Sequence, residues 1–102
     1  MTDARIPITR LQAAWLADLW ASGSETYAEA VAYGVRIDKS PSGAECLVVP
    51  EQAFDTLGTA VGIRADIASE GEYSIGERSS VLGLARKLAA AGITKAAPLE
   101  VT

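Results

Sequence analysis

The sequence predicts an α+β fold, in which an N-terminal helix and one β-hairpin are followed by two helices that pack on the hairpin (α-β-β-α-α). Apolar and polar residues alternate over 27–37, and the turn-forming sequence SPSG at 40–43 leads into the apolar run 46–49. This succession is typical of two antiparallel strands joined by a short turn. Apolar residues recur at helical spacing in three other segments, which predicts the helices.

The first helix is predicted to begin near Thr9, a favourable N-cap residue, and to end at the small polar residues 22–24. Five large apolar residues share one face of it at helical spacing: Leu11, Trp15, Leu16, Leu19 and Trp20. We expect an amphipathic helix whose two tryptophans supply much of the core.

Residues 25–33 allow two interpretations. The alternation favours a strand, but the three alanines of this segment are poor strand formers, and Ser24 can cap a short helix that ends at Gly34. We place a strand from about Val31 onward and leave 25–30 open between strand and helix.

The hairpin is expected to have one apolar face, because Val35 and Ile37 alternate with charged residues and Leu47 and Val49 repeat the pattern. A two-stranded hairpin is marginally stable alone. Helices, a third strand or another chain must therefore complete it.

The third helix segment starts at Pro50, which is well suited to a first helical turn. Gly58 and Gly62 each cost a helix interior about 1 kcal/mol relative to alanine, so we expect the helix to break or bend near Gly62. Their spacing of four also permits close contact with another helix.

The last helix, over 75–91, has the best-defined start in the chain. Ser74 and Glu77 match a capping box, and Gly92 is placed for a left-handed C-cap.

Length and composition indicate one small domain over 1–102, with loose ends expected at 1–7 and 94–102. Of the residues, 49% are hydrophobic and 22% charged, which is ordinary for a globular chain. The net charge of −4 is spread evenly, without a basic tail. No apolar run is long enough to span a membrane and no signal peptide is evident, so we expect a cytoplasmic protein.

The sequence predicts no catalytic residue, cofactor site or metal site, and hence no enzyme and no small-molecule substrate. Histidine, the commonest general base, is absent. The single cysteine, Cys46, lies in an apolar strand and is interpreted as a packed thiol. Glu70 and Glu72 are interpreted as part of a solvated loop, because they lack the ligand density of a calcium site.

DNA binding is the alternative function. The helix 75–91 carries three cationic residues, Arg78, Arg86 and Lys87, and with the turn after it this helix resembles the recognition helix of winged-helix regulators. The resemblance covers about twenty residues, and it implies that this helix contacts DNA. However, the wing of those regulators follows the recognition helix, whereas here the hairpin precedes it, and the net acidity offers little attraction to phosphate.

The leading prediction is a small regulatory or accessory protein that binds another protein, of a kind that phages and mobile elements encode. The exposed edge of the hairpin also allows a homodimer by strand addition. Trp20, Tyr33 and Arg36 are the predicted partner-binding residues, because aromatic residues and arginine dominate binding surfaces when they are exposed.

Overall fold

A computed structural model describes residues 3–69 and 75–96, apart from the side chains of 66–69, 75–78 and 94. The described part contains three strands and four α-helices. The elements are β1 (Ala4–Ile8), α1 (Arg10–Ala21), α2 (Glu25–Ala32), β2 (Arg36–Lys39), β3 (Glu45–Val49), α3 (Phe54–Ser69) and α4 (Ile75–Ala90), with 3₁₀ turns at Glu51–Ala53 and Thr94–Ala96.

The α+β class is confirmed, and the hairpin gains a third strand. The sheet is antiparallel in the order β1-β3-β2, so the central β3 pairs Leu47 with Ile6 on one side and with Ile37 on the other. The expectation of a loose segment at 1–7 is therefore wrong for residues 4–7. Pro7 is tolerated in β1 because an edge strand does not need every backbone N–H for pairing.

Residues 25–32 form a helix, so the prediction of a strand from Val31 is wrong. The Ser24 hydroxyl accepts a hydrogen bond from the Tyr27 backbone N–H at 3.2 Å and caps the start of α2. At the other end Gly34 has a φ of +112°, and the Val35 N–H donates to the Ala30 carbonyl at 3.3 Å. These caps at both ends outweigh the alternating pattern, because alanine favours the helix.

The core lies between the four helices and one face of the sheet. Alternation along β3 directs Leu47 and Val49 into it, whereas Val48 faces the opposite side. The largest fully buried core side chains are Leu16, Leu47, Leu57, Leu84, Leu88, Ile93, Val49, Val61 and Val81.

α3 is continuous from Phe54 to Ser69, so the helix does not break at Gly62. The two glycines lie in close contact with the 3₁₀ turn at Thr94–Ala96 rather than with another α-helix. Of the tail predicted to be loose, residues 94–96 are therefore ordered against α3. Residues 97–102 lie outside the described part.

α4 ends as predicted: Gly92 has a φ of +100°, and the Ile93 N–H donates to the Leu88 carbonyl at 2.9 Å. The predicted capping box at its start falls on Ser74 and on the side chain of Glu77, which are outside the described part. α4 packs against α1, α3 and β1, which makes it a central helix of the domain.

Candidate functional surface

The first two helices are joined by a three-residue turn, Ser22-Gly23-Ser24, in which Gly23 has a φ of +81°. The Thr9 hydroxyl accepts a hydrogen bond from the Gln12 N–H and caps α1. The β2-β3 hairpin follows α2 directly. A short turn containing glycine is a common connection between two helices. α1, α2 and the β2-β3 hairpin therefore follow one another through short connections.

The exposed side of α2 is acidic. Tyr27 and Ala30 point into the protein. The residues that face solvent along α2 are Glu25, Ala28, Glu29 and Ala32. Between Arg10 and Arg36 the sequence has no lysine or arginine, and it has three acidic residues, Asp18, Glu25 and Glu29. The exposed side of α2 therefore presents carboxylates and methyl groups.

Trp20 lies at the end of α1 and is 54% exposed. Its ring contacts the Tyr27 ring edge-on, with the ring centroids 6.3 Å apart and the planes at 78°. Tyr27 is itself buried, and the loss of solvent raises the pKa of its phenol above the ordinary value of 10.0. Trp20 is therefore a half-exposed aromatic residue held by a buried aromatic residue of α2.

Tyr33 is the C-cap of α2 and is 42% exposed. Its hydroxyl donates to Glu29 Oε1 at 3.4 Å, and its backbone carbonyl accepts a hydrogen bond from Gln52 Nε2 at 2.8 Å. The backbone of Tyr33 is thus fixed while its ring remains accessible beside the acidic side of α2.

Arg36 belongs to a different surface, the sheet face that points away from the core. Arg5 and Arg36 flank Val48 in the strand register, and Val48 has no exposed surface. Asp38 binds both guanidinium groups, with Arg36 Nε at 3.2 Å from Oδ1 and Arg5 Nη2 at 3.4 Å from Oδ2. Arg36 is therefore already paired, and the structure does not bring it into contact with Trp20.

Cys46 lies on this same sheet face rather than in the core. Its half-buried thiol borders an open depression at the hairpin end of the sheet. The lining residues are Arg5, Pro7, Asp38, Lys39, Ser40, Ala44, Glu45 and Cys46. The charged side chains that line the depression form two ion pairs, Arg5–Asp38 and Lys39–Glu45, and the second pair is 3.7 Å apart.

β2 is the outer strand of the sheet, and its second edge has no strand partner among the described residues. The strand spans only four residues, of which Arg36, Asp38 and Lys39 are charged. Short, charged edge strands disfavour pairing with another chain. The predicted dimer edge is therefore present but small.

The three cationic residues of the helix 75–91 have different surroundings. Arg86 is exposed, whereas Lys87 is half-buried and its Nζ donates to Gln12 Oε1 at 2.9 Å. The side chain of Arg78 lies outside the described part. α4 also contacts α1, α3 and β1, so only a narrow part of its surface is available to a ligand.

Sequence reasoning named Trp20 and Tyr33 from their residue types, but it missed Glu25 and Glu29 as parts of the surface. Two features of the sequence point to Glu25 and Glu29. No lysine or arginine lies between Arg10 and Arg36, and Ser24 is placed to cap a helix that starts at Glu25.

Within residues 3–69 and 75–96, no three side chains of cysteine, aspartate or glutamate lie close enough together to hold a metal ion. No helix of that part has the length and apolar content needed to cross a membrane.

Comparisons of the chain with family models, curated proteins and solved structures return no match. The described residues form an α+β domain in which α2 has an acidic exposed side and exposed aromatic residues beside it. The exposed surface of that helix combines carboxylates, methyl groups and aromatic rings.

Proposed function

We propose that the protein is a small, non-enzymatic regulatory or accessory protein that acts by binding another protein through the surface of α2. The observation that carries this proposal is the pair of exposed aromatic residues near α2, Trp20 at 54% and Tyr33 at 42% exposure. Exposed tryptophan and tyrosine supply large contact areas with few rotatable bonds, and they are enriched among residues that dominate protein interfaces.

Charge favours a protein partner over nucleic acid at this surface. DNA binding derives much of its affinity from lysine and arginine contacts with phosphates. The segment from residue 11 to residue 35 has no such residue and carries three carboxylates. α2 therefore has the wrong charge to approach the phosphates of DNA.

The proposed setting is the cytoplasm, and an accessory protein of the kind that phages and mobile elements encode fits the size of the chain. Strand addition at β2 would provide a homodimer, with Arg36 on the pairing strand. However, because β2 is short and charged, we propose the monomer as the form that binds the partner.

The proposal is tested by affinity capture from cells of the source organism with matched variants. Trp20→Ala combined with Tyr33→Ala should abolish the enrichment of a protein that the wild type captures. Leu11→Ala combined with Ile63→Ala is the control, because these side chains are 69% and 52% exposed elsewhere on the molecule. A control that loses the same protein, an aromatic variant that retains it, or the absence of any enriched protein would overturn the proposal.

DNA binding stays a second candidate in the form predicted from the sequence, in which the helix 75–91 contacts DNA, because Arg86 of that helix is exposed. The hairpin, with Arg36 and Lys39 in β2, offers a second cationic segment for phosphate contacts. A titration with duplex DNA at low and high salt separates the candidates, since phosphate contacts produce strong salt dependence. Salt-sensitive binding that is lost on Arg36→Ala with Lys39→Ala would favour the hairpin. Loss on Arg86→Ala with Lys87→Ala would favour the last helix instead.

A further inference from the structure

We infer that the partner docks on α2 with a cationic segment that also carries apolar side chains. This inference rests on the proposed function and specifies the chemistry of the partner.

The negative charge of α2 is uncompensated within the described part of the chain. Glu25 and Glu29 are exposed, and the ion pairs among the described residues use other carboxylates, namely Asp38, Glu45 and Asp55. Glu29 accepts a hydrogen bond from the neutral Tyr33 hydroxyl, which leaves its charge in place. A partner of positive charge gains attraction here without breaking an existing ion pair.

The exposed residues of α2 are spaced so that they share one side of the helix. Positions three and four apart lie on one side of a helix. Glu25, Ala28, Glu29 and Ala32 therefore form one stripe, and Tyr33 lies at its end. The two alanines have no side chain beyond the methyl group, so a partner backbone can approach α2 between the carboxylates.

A second exposed aromatic residue lies beside the first half of α2. Trp20 packs edge-on against Tyr27, which points into the protein from that half of the helix. Its exposed ring offers apolar contact area and a face that attracts lysine or arginine. In a segment that combines cations with aliphatic side chains, the cations can pair with the carboxylates of α2 and the aliphatic side chains can pack on the aromatic rings.

The same charges argue against the other large ligands. Nucleic acid and anionic membranes carry negative charge and are repelled by Asp18, Glu25 and Glu29. A cationic protein segment is the class of macromolecule that the surface attracts.

The test uses Trp15→Phe as the background, which leaves Trp20 as the single tryptophan. The probe is a synthetic amphipathic peptide of lysine and leucine, and a peptide of equal length with glutamate in place of lysine is its counterpart. The lysine peptide should bind and shift the Trp20 emission to shorter wavelength. The glutamate peptide should not bind.

Glu25→Gln combined with Glu29→Gln should raise the Kd for the lysine peptide by about threefold or more, because each removes one exposed ionic contact. Asp3→Asn combined with Asp55→Asn is the matched control, since it changes the net charge equally at exposed positions outside α2, where Asp55 pairs with Lys95. The control should leave the Kd within about twofold of the background, as distant exposed charges are largely screened.

Three results would overturn the inference: no binding of the lysine peptide, equal binding of both peptides, or equal weakening by the α2 variant and the control. One capture result would overturn this inference but not the proposed function. In that result, a partner is lost on Trp20→Ala with Tyr33→Ala but is still captured by Glu25→Gln with Glu29→Gln. Failure to capture any partner would instead count against the proposed function.

Discussion

Gln12 is the residue with the most demanding polar environment in the described part of the chain. It is only 4% exposed, yet Oε1 accepts hydrogen bonds from the Thr9 N–H at 3.0 Å and from Lys87 Nζ at 2.9 Å. Its Nε2 donates to the Ser80 carbonyl at 3.4 Å. One side chain therefore caps α1 and joins it to α4.

Gln12→Ala should lower the free energy of unfolding by about 1–3 kcal/mol, because it leaves a half-buried ammonium and a helix-terminal N–H without their acceptor. Urea denaturation followed by circular dichroism measures the change. Gln52→Ala is the control: Gln52 is exposed and makes a single hydrogen bond to the Tyr33 carbonyl, so it should cost less than about 1 kcal/mol. Equal losses would contradict the bridging role of Gln12.

Tyr27 couples stability to alkaline pH. Burial raises the pKa of its phenol above 10.0, so the folded state holds the proton more tightly than the unfolded state. The contribution of the buried Tyr27 phenol to the free energy of unfolding is complete below pH 10. It is lost as the pH rises through the higher pKa that this phenol has in the folded protein.

Tyr27→Phe should therefore lose less stability than the wild type between about pH 9 and about pH 11. Thermal unfolding across this range measures the difference, with Tyr33→Phe at an exposed position as the control. A difference between Tyr27→Phe and wild type that stays constant with pH would contradict the effect of burial.

At the scale of elements, α3 depends on a segment that lies far away in the chain. A Cβ atom at Gly62 would come within 2.4 Å of the Lys95 carbonyl oxygen, and one at Gly58 would lie 2.9 Å from the Lys95 Cβ. The two glycines reduce the intrinsic helix propensity of α3 but create the space in which the C-terminal 3₁₀ turn packs.

Gly62→Ala should lower the free energy of unfolding by about 1–3 kcal/mol, although alanine is the better helix former, because a backbone oxygen must move. Ile63→Ala in the same helix is the control, because Ile63 is 52% exposed and alanine there changes the helix propensity without a new close contact. Denaturant unfolding of both variants makes the comparison. A stabilised Gly62→Ala variant would show that the turn is not closely packed on α3.

The elements with strong local signals were predictable from the sequence. Thr9 and the amphipathic spacing defined α1, the turn at 40–43 defined the hairpin, and Gly92 defined the end of α4. β1 was not predictable, because Ile6-Pro7-Ile8 is too short to show periodicity and its partner β3 lies about forty residues away. Such pairing depends on tertiary contacts rather than on local preference.

The candidate surface was predictable only in part, and for the same reason. Trp20 and Tyr33 can be named from residue type alone. Glu25 and Glu29 share a face in a strand as well as in a helix, but only the helix groups them with Ala28 and Ala32, whereas a strand would group them with Tyr27. The ambiguity of 25–33 therefore left the neighbours of the two glutamates undecided.

At the scale of the whole molecule, the described surface favours a monomer that presents α2. The open edge of β2 has four residues, three of them charged, which gives a second copy few backbone groups and no apolar strip. Sedimentation equilibrium at low micromolar concentration should give the mass of one chain, 10.6 kDa. A dimer that dissociates on Ile37→Pro would instead establish pairing through β2.

The pairing of β1 with β3 also bears on aggregation. β3 has the sequence ECLVV, and its Leu47, Val48 and Val49 are all completely buried. If β1 separates, one whole edge of this apolar strand is open to strands of other molecules, which is the usual origin of intermolecular sheets. Pairing β1 with β3 closes a loop of about forty residues, which is slower than forming the local β2-β3 hairpin. The short strand around Pro7 thus keeps the most aggregation-prone segment of the described sheet covered.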